Sequence, residues 1–227
     1  MIYMIPGDGA DRALDQGQIQ TSVAAWQNWF QGQTGKRFRV DTFQGNIDVT
    51  FRKSGYQDAS AAAFGSVLYY WLEEDLIKAG LADSSKWYVI YYDGGNNSVC
   101  GSAARPPEVG GHVSVVYLRG AGCPGTLAAS ASSPGYTEMA MLHEVVHSLG
   151  YVPSCAPRHL HDGHVPEAND LMYHGGGTWA PSAVDVNHDD YFGHNNPNCA
   201  DLAKSALLEG GTQLPPVGSR VIDGEGE

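Results

Sequence analysis

The residues in this chain that are best suited to chemistry are the run His-Glu-Val-Val-His at positions 143–147. His143 and His147 are four residues apart, so on a helix they lie on one face, one turn apart. Two imidazole nitrogens placed in this way can bind one Zn²⁺ ion. Glu144 projects from the same helix, where a carboxylate can take a proton from water activated by the metal. The spacing therefore predicts two metal ligands and a general base.

The residues around this run predict a helix over 137–150. Gly150 stands at the end of the apolar pattern, and glycine commonly ends helices because it adopts the left-handed conformation at little cost. The apolar positions recur at helical spacing and are Leu142, Val145, Val146 and Leu149. The two histidines are thus predicted to lie on a rigid element that stops abruptly after the second of them.

A second short run, Asn-Asp-Leu-Met-Tyr at 169–173, follows downstream. Together the two runs resemble the metzincin clan of zinc endopeptidases, which combine an extended His-Glu-x-x-His-x-x-Gly motif with a methionine turn beneath the metal. Within the clan the chain is similar to the small secreted bacterial metalloproteases of the snapalysin type. The resemblance covers residues 142–173. It implies that Met172 supports the site without binding the metal and that Tyr173 is a candidate transition-state stabiliser, although the clan's tyrosine comes two residues after the methionine.

The third ligand departs from the clan's pattern. In the clan it comes three residues after the glycine, where this chain has Pro153, which has no donor atom. The ligand must then come from the following loop, 158–164, which reads Arg-His-Leu-His-Asp-Gly-His. We expect His164, because it follows a flexible glycine and precedes Met172 by a short stretch. The alternatives are His161, His159 and Asp162.

The order of helices and strands along the chain, together with the resemblance, predicts an α+β fold. It consists of a mixed twisted sheet with two backing helices, the zinc-site helix, and an irregular C-terminal lobe that ends in a helix. The segment 113–118 has two interpretations, an edge strand that pairs with substrate or an ordinary strand of the sheet, and 93–111 is expected to be a loop. Helices are predicted at 19–32, 59–79 and 199–208, and strands at 1–6, 38–42, 47–51, 87–92 and 113–118.

Length and composition favour one domain. The chain has 227 residues, of which 42% are hydrophobic, enough for one core. We expect a single catalytic domain over 1–209, with an upper lobe over about 1–150 and a lower lobe over about 151–209. The Gly/Pro-rich segment 210–227 is expected to be a flexible tail.

Charge and hydropathy exclude two kinds of partner. The net charge of −12 and the pI of about 5.0 argue against binding to nucleic acid. The sequence has no apolar run long enough to span a membrane. The expected partner is a protein or peptide substrate, and the chain is expected to be a monomer.

Four cysteines suggest an oxidising compartment. Two pairs are predicted, Cys100 with Cys123 and Cys155 with Cys199, because each would hold an irregular segment that hydrophobic burial alone does not fix. The second pair would brace the loop that carries the third ligand. We therefore expect a secreted, extracellular protein, with the present chain as its mature form and the export signal removed.

One acidic segment is a candidate site for a second metal ion, calcium. Asp185, Asn187 and Asp189 place oxygen ligands at alternating positions, which is how a calcium-binding loop begins. The segment lacks the glycine and the distal glutamate of an EF-hand, so the competing interpretation is a turn with solvated acids.

The sequence thus predicts a secreted zinc endopeptidase that hydrolyses peptide bonds with metal-activated water and Glu144 as the general base. Two alternatives remain open. One is a zinc amidase acting on cell-wall peptides or glycoproteins, because the bond cut is still an amide. The other is a non-catalytic module in which zinc only braces the loop.

Overall fold

The computed structural model describes residues 1–215 of the chain. Its main sheet has five strands, and a separate hairpin has two. In chain order the hairpin comes between the first strand and the fourth. The strands are β1 (Ile2–Ile5), β2 (Thr42–Phe43), β3 (Asn46–Ile47), β4 (Thr50–Lys53), β5 (Tyr88–Asn96), β6 (Gly101–Arg105) and β7 (Val109–Gly120). The order across the main sheet is β4-β1-β5-β7-β6.

The main sheet is mixed, which confirms the predicted α+β class. Strand β1 pairs in parallel with both β4 and β5, and β5 pairs in parallel with β7. Strand β6 runs antiparallel to β7, with Gly101 opposite Val116. Because β6 follows β7 at the end of the order, it forms one edge of the sheet.

Alternation along β1 sends side chains to two separate cores. Tyr3 and Ile5 pack on one face, and Ile2 and Met4 pack on the other. The first face is covered by two helices and the second by two others, so each side of the sheet is buried. The helices are α1 (Gln18–Thr34) and α4 (Tyr136–Ser148) on the first face, and α2 (Asp58–Ala63) and α3 (Leu68–Lys78) on the second.

The single helix predicted over 59–79 is wrong, because the segment breaks at Gly65. This glycine has a left-handed backbone with φ of +58°, which a continuous right-handed helix does not allow. The side-chain amide of Asn96 donates to the Gly65 carbonyl oxygen at 2.7 Å. A Cβ at position 65 would lie 2.9 Å from the Oγ of Ser98. The break therefore lets the end of β5 approach this segment closely.

The edge of the sheet also differs from the expectation. Residues 101–105 were expected within a loop, yet they form β6, whose sequence Gly-Ser-Ala-Ala-Arg lacks the β-branched residues that favour strands. Pairing with β7 determines its conformation instead. The interpretation of 113–118 as an edge strand is wrong, because β7 lies between β5 and β6. The strands predicted at 38–42 and 47–51 are reduced to short pieces of β2, β3 and β4.

The C-terminal part is irregular, as predicted, but it does not end in the expected helix over 199–208. Only a single 3-10 turn forms there, at Leu202–Lys204. The residues after the turn bond to distant segments instead of to their own helix. The Arg39 amide donates to the Leu207 carbonyl oxygen at 2.8 Å, and Phe38 forms a bridge with Leu208.

Two disulfides hold the irregular segments, and both match the predicted pairs: Cys100–Cys123 and Cys155–Cys199. The predicted tail, 210–227, lies outside the described residues from 216 onwards. Within the part that is described, Gln213 bridges to Ser205. Over residues 1–215, none of the helices has the length and apolar character needed to cross a bilayer.

Candidate metal centre

Three histidine side chains converge at the end of α4. The Nε2 atom of His147 lies 3.0 Å from the Nε2 atom of His143 and 3.0 Å from the Nε2 atom of His164. Within residues 1–215 these are the only histidines that gather in a group able to hold a metal ion. The structure therefore brings His164 to the helical pair, and it does not bring His159, His161 or Asp162 there.

Helix α4 presents its two histidines on one face, as the spacing predicted, and the sheet fixes the helix. The Ser114 hydroxyl on β7 donates to the Glu144 carbonyl oxygen at 3.2 Å and contacts the Ser148 hydroxyl at 2.9 Å. At the start of the helix, the buried Glu138 carboxylate accepts a hydrogen bond from the Gly135 amide at 2.8 Å. Both ends of the helix are thus anchored to neighbouring segments.

His164 reaches the pair through a tight turn. Gly163 has a left-handed backbone with φ of +74°, a conformation that glycine adopts readily. The turn closes where the Leu160 amide donates to the His164 carbonyl oxygen at 2.8 Å. The next residue, Val165, donates from its amide to the Met172 carbonyl oxygen at 2.9 Å. The third histidine and the methionine run are therefore neighbours in space as well as in sequence.

The environment keeps the three imidazoles neutral. Burial lowers the pKa of His143 to about 4 and the pKa of His164 to about 3, and it also lowers the pKa of His147. The Nδ1–H of His143 donates to the Leu171 carbonyl oxygen at 2.7 Å, which leaves the lone pair of its Nε2 atom free. Neutral imidazoles with free lone pairs are what a metal needs from histidine.

This donor set fits zinc. Zinc binds histidine nitrogen at about 2.0–2.1 Å in tetrahedral geometry, which places ligand nitrogens roughly 3.3 Å apart. The observed Nε2 separations of 3.0 Å are close to that value. Three histidines with one position left over is the ligand count of catalytic zinc sites, whereas structural sites use four protein ligands.

Glu144 lies beside the cluster in a sheltered position. Burial raises the pKa of its carboxyl group to about 8, and the charge of Arg105 opposes this shift. The side chain packs against Gly101 at the start of β6. The carboxyl group is therefore held between the helix and the free edge of the sheet.

Two cavities flank the histidine cluster. The first has a volume of about 420 Å³, and the second a volume of about 360 Å³. The lining of the first includes Gly101, Tyr136, His143, Glu144, Tyr173 and Trp179. The lining of the second includes Arg105, Glu108, His147, Val152, His159 and Asp162. Strand β6 begins at the first cavity and ends at the second, so its edge runs between them.

The methionine run lies against α4. Met172 is fully buried, and the preceding carbonyl group, that of Leu171, is the acceptor for His143. Tyr173 lines the first cavity, and its hydroxyl oxygen accepts a hydrogen bond from the Gly177 amide at 2.7 Å. Met172 thus follows the residue that accepts the His143 hydrogen bond, and the hydroxyl group of Tyr173 is turned towards a glycine-rich loop.

Sequence reasoning missed Asp170 and Trp179. The buried Asp170 carboxylate accepts hydrogen bonds from the Met172 amide at 2.7 Å and the Tyr191 hydroxyl at 2.8 Å. The Trp179 indole donates to the Asp170 carbonyl oxygen at 3.1 Å, and its ring lies edge-on to the His143 ring at a centroid distance of 5.7 Å. No spacing or periodicity in the sequence marks either residue, because both act through contacts between irregular segments.

The predicted calcium site is not supported. Asp185, Asp189 and Asp190 do gather, and Asn187 lies in the same turn. However, the guanidinium group of Arg158 forms ion pairs with both Asp189 and Asp190. Asp185 is occupied by backbone amides, which include that of Phe192 at 2.6 Å. An arginine therefore supplies the positive charge that these acids need, as in a turn braced by an ion pair.

No protein-family model matches the chain, and no curated protein matches it. Among solved structures, the crystal structure of archaemetzincin from Methanopyrus kandleri is similar over 78% of this chain and 81% of that chain, at 16% sequence identity and a TM-score of 0.39.

Proposed function

We propose that this chain is a secreted, monomeric zinc endopeptidase that cleaves proteins or peptides. In this proposal His143, His147 and His164 hold the zinc ion, and Glu144 is the general base. The observation that carries it is the convergence of three neutral imidazoles with one sheltered carboxyl group at a free sheet edge. A zinc ion that served only as a brace would have no use for that carboxyl group.

Two of the three histidines are held in orientation by neighbouring backbone. His143 is oriented by the Leu171 carbonyl group and His164 by its turn, so their nitrogens point at one position before the metal arrives. A zinc ion bound there supplies a Lewis acid for a water molecule and for the carbonyl group of an amide bond. The buried Met172 supports the turn that carries the Leu171 carbonyl group.

Glu144 moves the proton. Its carboxylate form accepts a proton from the attacking water, and the resulting acid returns that proton to the amine that leaves. In the metal-free chain burial raises the pKa of this carboxyl group, which favours the acid form that returns the proton. Tyr173 lines the same cavity, and we propose that its hydroxyl group donates to the developing oxyanion.

The free edge of β6 favours an extended peptide as substrate. Within residues 1–215 no strand pairs with its outer side, so its backbone groups are available for β-augmentation. A peptide bound along this edge passes the histidine cluster and reaches a cavity at each end. The aromatic rings of Tyr136 and Trp179 in the first cavity suit a large apolar side chain.

Secretion is proposed from the cysteines. All four are paired in the structure, and disulfides persist in oxidising compartments. The catalytic domain is proposed to extend over 1–209.

The test compares the wild type with Glu144→Gln on a mixed peptide library and on casein. We expect the wild type to cleave both, a chelator to abolish cleavage, and added zinc to restore it. The variant should bind zinc with unchanged affinity and lose kcat by about 100-fold to 10,000-fold. Glu209→Gln, which changes an exposed glutamate remote from the cluster, serves as the matched control and should behave as the wild type.

Three outcomes contradict the proposal. Near-normal turnover by Glu144→Gln shows that another group is the base. Zinc binding without cleavage of any peptide favours the braced binding module. When cell-wall fragments are assayed beside these substrates, cleavage of the fragments but not of proteins favours the amidase.

A further inference from the structure

We propose that Gly101 is a positioning residue for Glu144, because the missing side chain at position 101 leaves the space through which the glutamate reaches the cleft. This inference rests on the proposed function, in which Glu144 is the base. A Cβ atom built on Gly101 would lie 2.7 Å from the Cγ atom of Glu144, 2.8 Å from its Oε1 atom and 3.1 Å from its Cδ atom. Real Cβ atoms essentially never show contacts under 3.0 Å, as the first two would be.

The need for glycine here is steric and concerns one neighbour. The three atoms nearest to the added Cβ all belong to Glu144. Gly101 does not have the left-handed backbone that would itself favour glycine, since it is absent from the positive-φ residues found within 1–215. Its backbone conformation is therefore open to any residue, and the space taken by Glu144 excludes a side chain.

Neither backbone is free to withdraw. Gly101 pairs with Val116 in the sheet, and the residue before it, Cys100, is bonded to Cys123. On the other side, the carbonyl group of Glu144 accepts the hydrogen bond from Ser114. A methyl group at position 101 must therefore be accommodated by rotation of the Glu144 side chain away from β6.

That rotation should impair proton transfer by Glu144 without impairing metal binding by the histidines. Proton transfer requires the carboxylate within hydrogen-bond reach of the attacking water, and a displacement of about 1 Å can cost on the order of 100-fold in rate. The atoms that the methyl group would meet first do not belong to His143 or His147. Metal binding should therefore survive a change that disables the base.

The first experiment is Gly101→Ala in the full chain. We expect its zinc affinity to stay within about twofold of the wild type, its KM for peptides to change little, and its kcat to fall about 10-fold to 100-fold. The matched control is Gly32→Ala in α1, where nothing among residues 1–215 lies within 4 Å of the added Cβ. That variant should match the wild type in all three measurements.

A second experiment does not depend on activity. In metal-free protein, Gly101→Ala should lower the Tm by about 3–8 °C because of overpacking. The same change in a Glu144→Ala background should leave the Tm unchanged, because the colliding side chain is gone. A merely structural role for Gly101 would give the same loss in both backgrounds.

The outcomes separate this inference from the proposed function. An equal loss of Tm in both backgrounds, or normal kcat in Gly101→Ala, overturns the role of Gly101. Absence of peptide cleavage by the wild type overturns the proposed function instead, and the Tm comparison then still decides whether Gly101 makes room for Glu144.

Discussion

The Nδ1 atom of His143 and the carbonyl oxygen of Leu171 lie 2.7 Å apart, although 28 residues separate them in the chain. This hydrogen bond joins α4 to the run that contains Met172. It also fixes which ring nitrogen of His143 carries the proton, as the partners of metal-binding histidines commonly do. The helix and the methionine run thus act as one unit around the cluster.

Replacing the third histidine should remove most of the metal affinity. His164→Ala leaves two imidazoles, and we expect zinc affinity to fall by at least about 100-fold, measured by competition with a chromophoric chelator. The matched control is His161→Ala, since the His161 side chain is 80% exposed and lies outside the cluster. A larger loss in the control than in His164→Ala would reassign the third ligand.

Asp170 should make stability depend on pH. Burial raises its pKa from 3.8 to about 7, so between these values the folded chain holds one proton more than the unfolded chain. The stability contributed by this group therefore falls as the pH rises from about 4 to 7 and is constant above. Asp170→Asn should remove a dependence of up to about 1 kcal/mol per pH unit. Chemical unfolding of both metal-free proteins at several pH values provides the measurement, and identical slopes would contradict the assignment.

Glu138 should be essential for the start of α4. Its buried carboxylate accepts hydrogen bonds from the Ser22 hydroxyl at 2.6 Å, the Ala128 amide at 2.9 Å and the Gly135 amide at 2.8 Å. Glu138→Ala leaves these donors without an acceptor and should lower the free energy of unfolding by about 3 kcal/mol. Glu138→Gln keeps one oxygen acceptor, so its Tm should lie between that of the wild type and that of Glu138→Ala. Equal stability of all three proteins would show that water replaces the carboxylate.

The two disulfides should differ in their effect on the metal. The Cys155–Cys199 pair closes a segment of 44 residues that contains His164, and its removal should cost about 4 kcal/mol of stability and weaken zinc binding. The Cys100–Cys123 pair lies outside that segment, so its replacement by alanines should lower stability while leaving zinc affinity unchanged. Calorimetry with each double variant measures both quantities. Equal zinc affinities in the two variants would show that His164 is held without its disulfide.

The local part of the site could be predicted from the sequence. The spacing of His143 and His147 on one helix is a property of helix geometry alone. The choice of His164 followed from Pro153, which has no donor atom, and from the flexible Gly163, and the structure brings that histidine to the pair. Each of these inferences used residues close together in the chain.

The parts that depend on tertiary contacts could not be predicted. Strand β6 has small residues with weak strand preference, so only its pairing with β7 reveals it. The role of Gly101 depends on where Glu144 lies, and that is a relationship between two elements. The expected helix at 199–208 was lost for the same reason, since bonds to Arg39 and Phe38 replaced those of the helix.

The place of β1 has a consequence for folding. Because β1 lies between β4 and β5, its backbone pairs with residues about 50 and about 90 positions away. The centre of the sheet can therefore assemble only after much of the chain has been brought together, which is an arrangement of high contact order. Refolding should be slow for a chain of this size, and the unpaired early strands would be exposed to self-association until β5 arrives.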